Sequence, residues 1–209
     1  MVSAIKPIPL SSAAAVALLT VVLTALVASG VSPFDRLTWF MEVIWVIAAI
    51  PVLWLTRARF PLTRLLYVLI AIHCLILILG GYYTYAKVPL GFWVQDWFSL
   101  ERNHYDRLGH FAQGFVPAIL ARELLLRHTP LRPGAWLNYL CVAAALSFSA
   151  FFEMIEWWAA LIFGGDADAF LATQGDPWDT QWDMFLAMIG ALLALALLTR
   201  WHNRELRLP

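Results

Sequence analysis

Three stretches of this chain carry acids, a histidine and amides at helical spacing inside runs that are otherwise apolar. Asp106, His110 and Gln113 fall at i, i+4 and i+7; Glu153 and Glu156 at i and i+3, with Ser149 at i−4; Asp179 and Asp183 at i and i+4, with Gly190 seven residues further on. Each set therefore shares one face of a helix. Carboxylates with an imidazole and no thiolate form a hard, oxygen-rich ligand set. Such a set suits Mg²⁺ or Mn²⁺, and His with carboxylates also holds catalytic Zn²⁺. The acids outnumber the nearby bases, Arg102 and Arg107, and mutually repelling carboxylates need shared protons or a further cation. The expected catalytic and metal-binding residues are Asp106, His110, Glu153, Glu156 and Asp183, flanked by Arg102, Arg107, Gln113 and Asp179. The competing reading is an ion-pair network that only holds helices in register. The chain contains no HExxH, GxSxG, P-loop or CxxC motif, and no Ser or Cys has an evident base beside it.

The elements that must position these residues are membrane helices. Of 209 residues, 62% are hydrophobic and 13% charged, too apolar for a soluble domain. A net charge of zero leaves no basic stripe to neutralise phosphates, which argues against a nucleic-acid partner. Six segments have about the 20 residues a transmembrane helix needs: Ser12 to Ser29, Thr38 to Leu55, Leu65 to Tyr85, Tyr105 to Leu126, Trp136 to Phe163 and Thr180 to Thr199. The expectation is an all-α, polytopic, single transmembrane domain over residues 1–209. A rival reading of the first segment is a cleaved signal peptide, because Lys6 precedes an apolar run ending in "LVASG".

Ten of the 14 Lys and Arg fall on one side of the six segments: Lys6, Arg57, Arg59, Arg64, Arg122, Arg127, Arg132, Arg200, Arg204 and Arg207. The excess of positive charge marks that side, and both termini, as cytoplasmic. The fourth segment is the least hydrophobic, and this alternation requires it to span; Pro117 bends it. At about 1.5 Å of rise per residue, His110, Glu156 and Asp183 come to lie about 5 to 10 Å below the outer surface. Glu153 is a turn deeper, and Asp106 and Asp179 mark the rim. Intramembrane carboxylates line protein interiors or wet cavities, so the three stripes predict a polar pocket, open outward, walled by helices four, five and six.

Several residues have blander readings. Cys74 and Cys141 lie in apolar runs and read as small buried hydrophobes. The loop acids Asp166, Asp168 and Asp176 do not fit an EF-hand and read as a solvated acidic loop. Glu42 belongs either to the pocket or to the interface, and His73 reads as a hydrogen-bonded packing residue. The stretch "GFWVQDWF" has the aromatic content of an interfacial segment.

The blocks "ERNHYDRLGHFAQGFVPAILARELLLR", "SFSAFFEMIEWWAALIFG" and "FLATQGDPWDTQWDMFLAMIGA" resemble the signature blocks of the YjdF-type family of bacterial inner-membrane proteins. The detailed match covers the last half of the chain and the six-helix profile covers all of it. The resemblance implies an inner-membrane location and no assigned activity. A looser similarity is to VanZ-like membrane proteins. It would align Asp106 and His110, Glu153 and Glu156, and Asp183 with Gly190, with Glu156 departing from the Gln of that pattern. The functional expectation is a metal-dependent enzyme acting on a lipid or lipid-linked headgroup at the outer leaflet, so that membrane lipids are its partners. A proton- or cation-coupled transporter and a non-catalytic scaffold are the alternatives.

Overall fold

The computed structural model describes residues 5–208, apart from the side chains of residues 166–169. It is helical throughout: α1 Ser12–Val31, α2 Arg36–Thr56, α3 Arg64–Tyr83, α4 Pro89–Phe98, α5 Tyr105–His128, α6 Ala135–Phe163, the single turn α7 Asp168–Leu171, and α8 Asp179–Leu206, with 3₁₀ turns at Tyr85–Lys87 and Gly164–Ala167. The first three helices start at polar caps. Ser11, Asp35 and Thr63 accept from the backbone N–H groups of Ala14, Thr38 and Leu66, satisfying donors that have no partner inside the helix.

Among the described residues, five helices are long and apolar enough to cross a membrane: α1, α2, α3, α6 and α8. Their exposed faces carry large apolar side chains, for example Val27, Leu55, Trp157 and Leu197. α5 is different. It packs on α3, α6 and α8, and 13 of its 24 residues are buried. Its polar residues therefore face protein instead of the surroundings.

α5 and α8 approach most closely. A Cβ at Gly114 would run into the Ala187 carbonyl, and one at Gly190 into the Phe111 carbonyl. Small residues at a crossing let two backbones approach, which in a membrane supplies the packing that no hydrophobic effect provides. Val116, Ile119, Leu137, Cys141, Ala145 and Ala191 complete the core among α5, α6 and α8. Both cysteines are free and buried, as expected.

The bundle has two chemically distinct ends. The start of α3 and the ends of α2, α5 and α8 meet at a basic end, where Arg57 bonds Ser12, Arg64 pairs with Glu205, and the Ile8 N–H donates to the Glu205 carbonyl. At the opposite, acidic end lie α4, the α7 region and the starts of α5 and α8. α4 exposes Phe92, Trp93, Trp97 and Phe98 there, in keeping with its interfacial reading.

Candidate functional site

The acid cluster forms where α5, α6 and α8 converge near the acidic end. Helical spacing puts Asp106 and His110 on the buried face of α5, Glu153 on that of α6 and Asp183 on that of α8. Asp106 is 6% exposed, His110 3%, Glu153 8% and Asp183 2%. Glu156 is partly buried. His110 is the pivot. Its Nε2 lies 3.6 Å from Asp106 Oδ1 and its Nδ1 lies 3.6 Å from Glu153 Oε1. Both separations exceed a hydrogen bond. Two triads share this imidazole, Asp106–His110–Asp183 and His110–Glu153–Glu156, each with one ligand atom per residue and all three atoms within 4.8 Å of one another.

The guanidiniums do not neutralise this cluster. Arg102 Nη2 donates to Asp179 Oδ1 at 2.6 Å and Nη1 to the Thr173 carbonyl at 2.6 Å. Arg107 Nη2 donates to Asp176 Oδ2 at 2.9 Å, and its guanidinium lies 5.1 Å from the Trp182 ring centre. Both arginines are engaged by the rim acids. Asp106, Glu153, Glu156 and Asp183 have no Lys or Arg within ion-pair distance among the described residues. His110 Nδ1, Glu153 Oε1, Asp183 Oδ1 and Ser149 Oγ are buried with no hydrogen-bond partner among the described residues. Unpaired buried polar atoms are rare because each costs about 1–3 kcal/mol.

Three expectations are corrected here. Asp176 is not a solvated loop residue; it pairs with Arg107 and lies 3.5 Å from Arg102. The side chains of Asp166 and Asp168 lie outside the described residues. His73 is not satisfied by packing partners: its Nε2 is buried and unpaired. The pocket itself is displaced. The rim of Arg102, Arg107, Asp176 and Asp179 covers the cluster among α5, α6 and α8. The open space lies on the other side of His110, as a cavity of about 370 Å³ lined by α2, α3, α5 and α6. Its polar lining comprises Glu42, His73, Tyr85, Asp106, His110 and Gln113, and the rest is apolar.

A model of the family described as "Predicted membrane protein (DUF2238)" matches residues 14–204. The chain belongs to this family. Over 207 residues it is 52% identical to the inner membrane protein YjdF of Escherichia coli (strain K12), covering 99% of this chain and 97% of that protein. No solved structure matches it. This member of the family is accordingly a multi-pass inner-membrane protein, and the YjdF-type resemblance of its signature blocks is correct.

Sequence reasoning left one residue of this family member undecided and missed a second group altogether. Glu42 is 2% exposed, lines the cavity and leaves Oε2 unpaired; a carboxylate in the apolar second segment was itself the available signal. The second group is a hydrogen-bonded network at the basic end. Glu123, fully buried, accepts from the Thr63 hydroxyl at 2.8 Å, the Thr63 N–H at 3.1 Å and Arg127 Nη1 at 2.7 Å. His202 Nε2 lies 3.1 Å from Glu123 Oε2, while Arg122 Nη1 lies 2.8 Å from His202 Nδ1. A guanidinium only donates, so Nδ1 accepts and the ring proton sits on Nε2, where it donates to Glu123. Arg122 Nη2 donates to Asn203 at 2.6 Å. Both oxygens of Glu123 and both ring nitrogens of His202 are paired here, unlike the carboxylates of the acidic cluster, while Arg122 Nε is left without a partner among the described residues.

Proposed function

We propose that the chain is a six-span inner-membrane protein, with α5 as the sixth span and both termini cytoplasmic, whose acidic end faces outward and binds a divalent cation through His110 and the surrounding carboxylates. The carrying observation is the excess of buried acid: Asp106, Glu153, Glu156 and Asp183 surround one imidazole with no Lys or Arg partner among the described residues. A structural carboxylate would be paired, as that of Glu123 is. Two ligand atoms each about 2.1 Å from a shared ion lie at most about 4.2 Å apart. Each 3.6 Å gap beside His110 is of this size, and because the two lie at opposite ring nitrogens a single ion takes one of them, here the Nδ1 side with Glu153 and Glu156.

Mg²⁺, Mn²⁺ or Zn²⁺ held there would polarise a phosphoryl or acyl oxygen of a lipid or lipid-linked headgroup at the outer leaflet. A carboxylate of the triad not ligating the ion would accept the proton of the attacking water, and the leaving oxygen would take up a proton as its bond breaks. The reading is therefore a metal-dependent enzyme acting on headgroups. Ion passage is less well supported, because α5 is apolar from Gly114 to Ala121, between Gln113 and Arg122, whereas a transported charge needs polar groups along its path.

The test is the divalent metal content of the purified protein in detergent. Wild type should carry stoichiometric metal, and His110→Ala and Glu156→Ala should both lose it while remaining folded. A metal-free wild type after reconstitution with Mg²⁺, Mn²⁺ and Zn²⁺ would refute the proposal.

A further inference from the structure

The cavity beside His110 is elongated, with a polar end and an apolar shaft. Along α2 its lining runs from Glu42 to Leu53, about 16 Å at 1.5 Å per residue. Half of a hydrocarbon core about 30 Å thick is about 15 Å. The shaft therefore has the length of one lipid chain, and it runs from about 9 Å inside the acidic end of α2 toward its basic end.

Its chemistry changes along that depth. Glu42, Tyr85, Asp106 and His110 lie toward the acidic end, and His73 and Gln113 near the middle. Beyond them the lining is Ala49, Val52, Leu53, Ile70, Val116 and Leu120. A purely structural void would have no use for Glu42 Oε2 and His73 Nε2, which are buried, unpaired among the described residues and borne by residues that line it.

The shaft also has a side entrance. α2 packs on α3 and meets α6 through Trp45, whose ring lies 5.8 Å from that of Phe148 and 6.4 Å from that of Phe152. One turn further along α2, Ala48 and Val52 both line the cavity and lie exposed on the outside of the bundle. Small side chains there leave the gap that the aromatic bridge closes above. Among the described residues, this face of the bundle is apolar, so a hydrocarbon chain can pass through it without crossing water.

We propose that this cavity binds one hydrocarbon chain of a membrane lipid, admitted sideways between α2 and α6 in the basic half of the bundle, with a hydrogen-bond-donating head, a hydroxyl or an ammonium, held by Glu42 at the polar end. Carboxylate acceptors select a donor and repel an anionic head of the same chain length. The chain site stands on the cavity. That its occupant is the substrate rests on the enzymatic reading above, since His110 borders both the cavity and the acid cluster.

The test uses the full-length protein in lipid nanodiscs, photolabelled with a long-chain alcohol that carries a diazirine midway along its chain. The expected label maps to shaft residues of α2 and α5, Ala49, Val116 or Leu120. Unlabelled alcohol and amine of equal length should displace it, the fatty acid should compete about tenfold more weakly, and Ala49→Phe should abolish it. Labelling confined to outward-facing residues of α1 or α6 would overturn the proposal, as would equal competition by the acid. If Ala49→Phe does not fold, the wild-type map and the competition series decide. Labelling requires no metal. Shaft labelling in a protein that binds no metal would keep the chain site and remove the enzyme, and metal binding without shaft labelling would do the reverse.

Discussion

Two buried acids of this chain differ in whether the protein itself pairs them. Glu123 is buried with Thr63, Arg127 and His202 arranged around it. Asp183 is as deeply buried and leaves Oδ1 without a partner among the described residues. Removing one member of a buried, paired network costs about 3–5 kcal/mol, because the remaining charges lose their compensation. Removing an uncompensated charge costs nothing comparable. In metal-free protein, Glu123→Ala should therefore lower stability in detergent by roughly that amount, whereas Asp183→Asn should leave it unchanged or raise it. Thermal unfolding of the two variants checks this, and similar losses in both would make the acid cluster structural. Asp106 with His110, and Glu153 with Glu156, were legible in the sequence because helical spacing marks a shared face. Glu42 and His73 were not, since a single polar residue in an apolar helix has no periodic partner to show which way it points. His202 was hidden for the same reason: its link to Glu123 joins residues 79 positions apart.

The helices themselves followed from apolar runs of membrane length: the observed limits of α1, α2, α3, α5 and α6 lie within two residues of the expected segments, whereas α8 runs seven residues past Thr199, to Leu206. What the pattern could not show was their order in space. α5, the most polar of the six, lies at the centre because its Gly114 meets α8 and its His110 meets α6. α2 stands away from α6 except at Trp45, so the cavity opens between them instead of within the α5, α6 and α8 group. This placement makes α5 the helix on which the proposed topology depends. Single cysteines replacing the exposed residues Glu101 and Arg132, on either side of α5 and in a background lacking Cys74 and Cys141, should react from opposite faces of the membrane. An impermeant maleimide added outside intact inner-membrane spheroplasts should label position 101 and leave position 132 untouched. Labelling at both positions from outside would remove α5 as a span.

Across the whole molecule, the buried carboxylates of the basic end are paired and most of those at the acidic end are not. The basic end ties α3, α5 and α8 together through Glu123, His202 and Glu205. The acidic end gathers five buried carboxylates, Glu42, Asp106, Glu153, Asp179 and Asp183, yet spends both arginines on its rim. Clamping one end leaves the helices fixed in register while the polar atoms at the other remain available, and the apolar shaft joins that end to the surrounding hydrocarbon. The central claim is that His110 is a ligand to a divalent cation, and its most direct test is electron spin echo spectroscopy of the protein loaded with Mn²⁺. The account predicts bound manganese with a nitrogen coupling from one imidazole, which disappears in His110→Ala. A spectrum of hydrated manganese alone, or a nitrogen coupling that survives in that variant, would contradict it.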